Sequence, residues 1–365
     1  MRILHVMASG ARGGGADHLL GLLPALAAQG LDCSALVGSD GDLAARLRAA
    51  GIDCGSLDLM PGRLDPRAAW RLWRRVRASG AERVHYHGTR AAFYGALPGF
   101  VGRPWRQLYT AHGLAYRKEH LAWRRHLFTA VEALACRGAD RVLSVAAADL
   151  ESLRGNGCLA ATAGLHVPNA VNSTSFRPAT AARRAAARAR LGLPAEGLWI
   201  GTTARLVPQK AVADLLAALA LQPALRLVVL GDGPLRSQLA AHPAVRSGCA
   251  RLLGARDDVA DCLPAIDVFA LASHWEGEPI ALLEAMACGL PWVASRTAGA
   301  AELAAASGTG VLVDVAAPAQ LAAALTELLA DRPARRHQAE AGRSFALGRS
   351  HAAQARTIAA IYRAL

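Results

Sequence analysis

Two successive series of short Val/Ile/Leu-rich runs, each alternating with longer Ala/Leu/Arg stretches, run through the 365-residue chain. "RILHVM" leads into a glycine-rich turn and "ADHLLGLLPALAAQG", a helix ending at Gly30. "DCSALVG" and "RVHYHG" continue the series. In "DPRAAWRLWRRVRASG", Asp65 is placed to cap a helix, Pro66 to begin it and Gly80 to end it. The alternation lapses near "VPNAVNSTSFRPATAARRAAARARLGLPAEG" and restarts at "LWIGTTARL", followed by "ALRLVVLGDG", "ARLLGA", "DVFALAS" and "PWVAS". Strands alternating with helices predict mostly parallel sheets covered on both faces. Two doubly wound α/β domains are therefore expected, with a boundary at about 170–196. In such sheets ligands sit beyond the carboxyl ends of the strands, so the loops after each strand are where chemistry belongs.

With 53% hydrophobic and 19% charged residues, the chain fills two cores and is not a disordered composition. No apolar run approaches the roughly 18 residues that span a bilayer. The apolar stretch in "MRILHVMASGARGGG" is too short for a signal sequence and reads as a buried first strand, so a cytoplasmic protein is expected. Seven scattered cysteines without a CxxC pair fit buried thiols better than disulfides or a zinc site. The formal charge of +13 comes almost wholly from arginine, since Lys118 and Lys210 are the only lysines. That charge favours anionic partners, but no nucleic-acid module is recognisable and none is expected to bind. "GARGGGADH" lacks the GxGxxG register of a dehydrogenase, although Asp40 imitates its ribose-binding acid, and no GK[ST] loop is present.

Against this basic background, "HWEGEPIALLEAMACGLPWVAS" gathers Glu276, Glu278 and Glu284 within nine positions. The helix dipole accounts for Glu276 and Glu278 near a helix start. It does not account for Glu284, inside an apolar helix, where a carboxylate needs donors such as the hydroxyls of a sugar diol. The free amides in the stretch Gly277 to Ile280 would point at an anion. Arg205 and Lys210, in one loop that opens a helix, add two cations suited to a diphosphate. Taken alone, any arginine of this arginine-rich chain reads better as a solvated surface charge, whereas Lys210 is less easily dismissed. Gly231 and Gly233 in "LGDGPLR" permit close backbone approach, either by a ligand or in a tight turn.

These motifs together resemble the signature of the family 4 retaining glycosyltransferases: two glutamates separated by seven residues, then Ala-Met-Ala-x-Gly-x-Pro. The resemblance covers nearly the whole chain, taking in "GTTARLVPQK", "LGDGPLR", "LLGARDDV", "TAGAAEL", "VPNAVNSTSFRP", "GGGADHLL" and "TAHG" in order. It implies a GT-B fold, two facing Rossmann-like doubly wound parallel-sheet domains with a cleft between them. Residues 1–170 would be the acceptor-binding domain, with the C-terminal helix, about 346–365, packing back on it; residues 171–345 would bind the nucleotide-sugar. It further implies that Glu284 binds the ribose and Glu276 the donor sugar. Arg205 and Lys210 would neutralise the departing diphosphate, helped by amides around Gly15 and Ile280. His112 would contact the sugar near the reacting carbon, and Gly231, Gly254, Gly277 and Pro279 would line the donor site. No metal or cofactor is implied. Retention would follow from front-face attack, the leaving phosphate accepting the acceptor's proton.

Three departures stand out. Ala211 replaces the glycine usual after the lysine, "TAGAAEL" keeps one glycine where two are common, and Glu278 stands where an aromatic or aliphatic residue is frequent, either tuning donor choice or, as expected here, facing solvent. Among the histidines, His112 is favoured over His87, and His85 is expected in packing. Trp70 and Trp73 are expected to face the core. Trp105, Tyr116, Lys118, Trp123, Arg124 and Arg125 form a candidate face for an acceptor or anionic lipid, giving a peripheral contact with the inner membrane face. The expected partners are a nucleotide-sugar donor, UDP by family frequency, and a glycan or lipid-linked acceptor of cell-surface polysaccharide or glycoconjugate assembly. The alternatives are a GT-B sugar-nucleotide epimerase and a non-catalytic sugar-nucleotide-binding protein.

Overall fold

In the computed structural model, residues 1–59, 65–99, 102–118, 121–160 and 163–365 are described. The chain forms two compact units, one of Met1–Ala170 with His351–Leu365 and the other of Val171–Ser350. The first is built on β1 (Arg2–Met7), β2 (Asp32–Val37), β3 (Asp53–Ser56), β4 (Arg83–His87), β5 (Arg106–Ala111), β6 (Arg141–Ser144) and β7 (Leu165–His166). They lie in the order β3-β2-β1-β4-β5-β6-β7, and every pairing is parallel. The second contains β8 (Ile200–Thr203), β9 (Leu227–Leu230), β10 (Ala250–Leu252), β11 (Val268–Leu271), β12 (Trp292–Ser295) and β13 (Val311–Val313), in the order β10-β9-β8-β11-β12-β13 and again parallel.

Strands covered on both faces need continuous apolar runs. That is the pattern of β1, where only Arg2 is exposed, and of β9 and β11, which are buried throughout. Each sheet reverses its strand order once, between β1 and β4 in the first unit and between β8 and β11 in the second. A reversal splays the flanking loops apart at the carboxyl ends and leaves a crevice there. Both crevices hold the residues considered below.

The C-terminal helix His351–Arg363 belongs to the first unit. Its buried Ala355, Ile358, Ala359 and Tyr362 join a cluster with Leu19, Leu22, Leu23 and Leu26 of the helix Gly14–Ala27. The two helices approach so closely that a Cβ on Gly21 would lie 2.0 Å from His351 Nε2.

Candidate functional site

In the second unit the chain leaves β8 through Arg205, makes a short 3₁₀ turn at Pro208–Lys210 and enters the helix Val212–Leu221. At the junction Ala211 is left-handed, with φ 44°, a conformation that costs a residue with a Cβ roughly 1–2 kcal/mol. The loop after β11 runs from Ser273 to Pro279 and opens the helix Ile280–Ala287. Because β8 and β11 are neighbours, these two loops meet and are stitched together. His274 N–H donates to the Gln209 carbonyl (2.9 Å), Gln209 Nε2 donates to the Trp275 carbonyl (2.9 Å), and His274 Nε2 lies 3.2 Å from Asp214 Oδ2.

The stitching sets Lys210 Nζ 2.5 Å from Glu276 Oε1, with the side chains 19% and 9% exposed. A charge-assisted bond of this kind is among the stronger polar contacts available. Arg205, five residues away, is exposed and makes no ion pair among the described residues. Glu284 is half-buried in the following helix, which Pro279 caps and Ile280 begins. Nearby, Thr203 Oγ1, Ser273 Oγ, Ser295 Oγ and Trp275 Nε1 are buried without hydrogen-bond partners. They sit at or just beyond the ends of three adjacent strands. Each such group costs roughly 1–3 kcal/mol unless it is bonded, so this crevice is one where a polar ligand would be stabilising.

The glycines have a simpler explanation. A Cβ on Gly231 would lie 1.9 Å from the Ala204 carbonyl oxygen, and one on Gly233 would lie 2.6 Å from that of Leu206. Gly231 N–H also donates to the Gly254 carbonyl at 2.7 Å. Backbone packing alone therefore demands Gly231 and Gly233. Similarly, a Cβ on Gly299 would lie 1.4 Å from the Gly277 oxygen, so the glutamate loop presses directly on the helix Ala298–Ser307. That contact corrects the expectation for Glu278. It does not face solvent: it is 8% exposed, with its Oε1 3.4 Å from Arg349 Nη1.

In the first unit, His112 follows β5, and Gly15 lies in the first turn of the helix Gly14–Ala27, where a Cβ would meet Met7 Cε at 3.1 Å. His112 is part of a cluster that the sequence order conceals. His87 Nδ1 lies 3.2 Å from His112 Nε2, and His87 Nε2 lies 3.0 Å from His5 Nδ1. The His18 ring stands edge-on to that of His112, its Nδ1 3.2 Å from Asn169 Oδ1. His85 Nδ1 is 2.6 Å from the Tyr362 hydroxyl, and its Nε2 is 2.6 Å from Thr110 Oγ1. Burial disfavours the imidazolium in all of them. It lowers His5 to about 3 and His112 to about 4, and holds His18, His85 and His87 well below the ordinary value. One ring nitrogen from each of His18, His87 and His112, or of His5, His85 and His87, lies within 4.8 Å of the others.

The candidate acceptor and membrane face holds only in part. Trp105 is 5% exposed, and Tyr116 is 4% exposed, its hydroxyl 2.7 Å from Ser152 Oγ. Both pack in the core between β5 and its covering helices, because their rings bury more area than their polar atoms expose. Lys118 ends a short 3₁₀ turn, and its side chain lies outside the described residues. By contrast Trp123, Arg124 and Arg125 are exposed at the start of the helix Ala122–Gly138, beside exposed Leu121 and Leu127. The pair of tryptophans is also split: Trp73 packs against the core, whereas Trp70 is 56% exposed under the Arg74 guanidinium, 4.7 Å from its ring centre.

Sequence reasoning missed His5, His18, Asn169, Tyr362 and Arg349. The strand-end histidines of "HYHG" were the one legible signal. The others act through contacts between residues as far apart in sequence as His85 and Tyr362.

A family model described as "Glycosyl transferase 4-like domain" matches residues 13–170, and one described as "Glycosyl transferases group 1" matches residues 183–345. The chain belongs to the family 4-like glycosyltransferases. Among relatives of this glycosyltransferase-family chain, a "GDP-mannose-dependent monoacylated alpha-(1-6)-phosphatidylinositol monomannoside mannosyltransferase" of Corynebacterium glutamicum is 32% identical over 192 residues, 49% of this chain and 50% of that protein. A "D-inositol 3-phosphate glycosyltransferase" of Kineococcus radiotolerans is 39% identical over 197 residues, 47% and 44% of the two chains. The chain thus spans about half the length of the curated relatives it matches. Among solved structures, Anabaena HepE in complex with UDP-glucose superposes with a TM-score of 0.87 at 23% identity, and WaaG, a glycosyltransferase involved in lipopolysaccharide biosynthesis, with 0.79 at 17%. The first comparison covers all of both chains and the second 99% of each. The fold is GT-B, as the sequence led one to expect.

Proposed function

We propose that this glycosyltransferase-family chain moves a sugar from a nucleotide-sugar, a UDP-sugar in the first instance, to a glycan or lipid-linked acceptor in glycoconjugate or cell-surface polysaccharide assembly. The observation that carries this is the Lys210–Glu276 contact in the crevice between β8 and β11, with exposed Arg205 in the same loop. A donor arriving there brings an anion for the cations and hydroxyls for Glu276 and Glu284. The ammonium would exchange a carboxylate for a diphosphate, a trade between two charge-assisted partners and therefore one of small net cost. In the reaction the bond from the anomeric carbon to the diphosphate oxygen breaks while the bond to the acceptor oxygen forms. The acceptor's proton passes to the leaving phosphate, and configuration is retained. Arg205 and Lys210 would stabilise the charge that develops on the diphosphate, work that needs no metal. Within the first unit, His112 and the first-turn amides around Gly15 are the candidates for substrate contact.

UDP is favoured by the UDP and UDP-glucose complexes of HepE, whereas one relative's name specifies GDP-mannose. A thermal-shift panel of UDP, GDP, ADP and their sugars, on wild type and Glu284→Ala, separates these options. One nucleotide should raise the melting temperature of the wild type and leave the variant unmoved. No shift in either protein would overturn the reading, and transfer to an acceptor would distinguish a transferase from an epimerase or a non-catalytic binder.

No helix among the described residues is long and apolar enough to cross a membrane. We assign the protein to the cytoplasmic face of the membrane, held peripherally through exposed Leu121, Trp123, Leu127, Arg124 and Arg125. Pelleting with anionic vesicles at low salt should carry the wild type down and leave Trp123→Ser with Arg125→Ser in the supernatant.

A further inference from the structure

The row His5–His87–His112 runs from the buried middle of β1, across the end of β4, to the half-exposed turn after β5. Two nitrogen–nitrogen contacts, of 3.0 and 3.2 Å, join its three rings. A neutral imidazole carries one N–H and one bare nitrogen, so each contact needs exactly one donor. Only two arrangements satisfy both contacts. In one, His5 Nδ1–H donates to His87 Nε2, His87 Nδ1–H donates to His112 Nε2, and the last N–H is at His112 Nδ1. In the other every proton is reversed, and the last N–H is at His5 Nε2.

The buried end of the row decides between them. His5 Nε2 is enclosed without a hydrogen-bond partner. The reversed arrangement would put an unpaired N–H there, and buried unpaired N–H groups are rarer in proteins than under-used acceptors. The forward arrangement leaves only a bare lone pair at that point and sends the N–H to Nδ1 of the half-buried His112 ring, an atom that is not enclosed without a partner as His5 Nε2 is.

We infer that His5 and His87 are positioning residues that hold His112 in its Nδ1–H form, so that His112 presents a fixed hydrogen-bond donor rather than a general base. What His112 then recognises is an acceptor oxygen, such as a sugar hydroxyl. This last step rests on the proposed donor reading, whereas the tautomer does not. The role also requires the row to stay uncharged, and burial keeps all three rings neutral at neutral pH.

The test is long-range ¹H–¹⁵N correlation spectroscopy on histidine-labelled full-length protein at neutral pH without substrate, which distinguishes protonated from bare ring nitrogens. The expected spectrum has His112 with a protonated Nδ1 and a bare Nε2. In His87→Ala, His112 should shift toward the Nε2–H form that free imidazoles prefer. In His87→Asn, whose amide N–H stands where Nδ1–H stood, the wild-type form should return. A wild-type His112 protonated at Nε2 overturns the inference even if neither variant folds, as does an unchanged tautomer in His87→Ala. Kinetics then test the recognition step separately: His87→Ala should raise KM for the donor and lower kcat, with His87→Asn recovering most of both. If the tautomer behaves as stated and neither constant moves, the donor reading of His112 fails while the relay stands.

Discussion

The two crevices solve the same problem, a polar group at a sheet's switch point, by opposite means. In the second unit the loops after β8 and β11 hold opposite full charges against each other, Lys210 on Glu276, in a place still partly open to water. In the first unit the middle of β1, the end of β4 and the turn after β5 hold neutral imidazoles aligned by one another, His5 and His87 buried and His112 half-buried. A charged pair tolerates loose geometry, because Coulomb attraction falls off slowly with distance. A row of neutral rings depends on direction and on which nitrogen carries the proton. The first kind of site is the one we propose for a diphosphate, and the second the one we propose for a hydroxyl.

Acid should separate the two most. The clustered His5, His18, His85, His87 and His112 have folded values depressed below the ordinary 6.5 by burial, so at these five positions the unfolded chain binds more protons as soon as pH falls below that value. Their contribution to stability is complete above about pH 6.5 and is lost as pH falls toward 4 and then 3, at up to about 1.4 kcal/mol per pH unit for each ring. Hydrogen exchange at pH 7.5 and 5, corrected for intrinsic rates, should show β4 and β5 losing protection well before β8 and β11. Equal loss in both units would break the comparison.

Next comes Lys210→Ala, expected to reduce transfer per folded molecule about 10²–10³-fold, as removal of one charge-stabilising group does elsewhere, and also to lower the melting temperature, because it strands the largely buried Glu276 carboxylate. An activity within a few-fold of wild type would remove Lys210 from the chemistry. Lys210→Arg should recover only part of the rate, since the guanidinium is broader and planar. Arg349→Met removes the cation beside buried Glu278 and should cost about 3 kcal/mol in urea unfolding, with Glu278→Gln recovering much of it in the double variant. Tyr362→Phe deletes the hydroxyl that His85 contacts and should cost about 1–2 kcal/mol, measured the same way. Smallest is Ala211→Gly, which relieves the left-handed alanine and should gain up to about 1 kcal/mol. If it destabilises instead, the contacts of the Ala211 methyl outweigh the backbone strain.

Much of the fold was legible, and the reason is periodic. Uninterrupted apolar strands such as "LVVL" and "VFAL" between helical stretches leave few options other than parallel sheets, and the strand ends then name the loops that matter. The site was legible where the residue type is chemically unusual for its place: Glu276 and Glu284 in acid-poor sequence, and Lys210 among arginines. It was illegible where meaning depended on what lies opposite. Glu278 looked like a solvent-facing charge until Arg349 was found beside it, and Trp105 and Tyr116 looked like a surface until the helices over β5 covered them. Gly231 and Gly233 looked like places for a ligand, but the backbone of Ala204–Leu206 already requires them.

The sequence by itself determined which segments become strands and which loops carry charge, because hydrophobic periodicity and helix capping act over a few residues. Only the tertiary structure decided the partnerships: His5 with His87, His87 with His112, Lys210 with Glu276, Arg349 with Glu278, His85 with Tyr362. Parallel crossovers bring the carboxyl ends of distant strands side by side, and burial follows from the face each element turns inward. Both depend on the whole set of packed elements rather than on any local spacing.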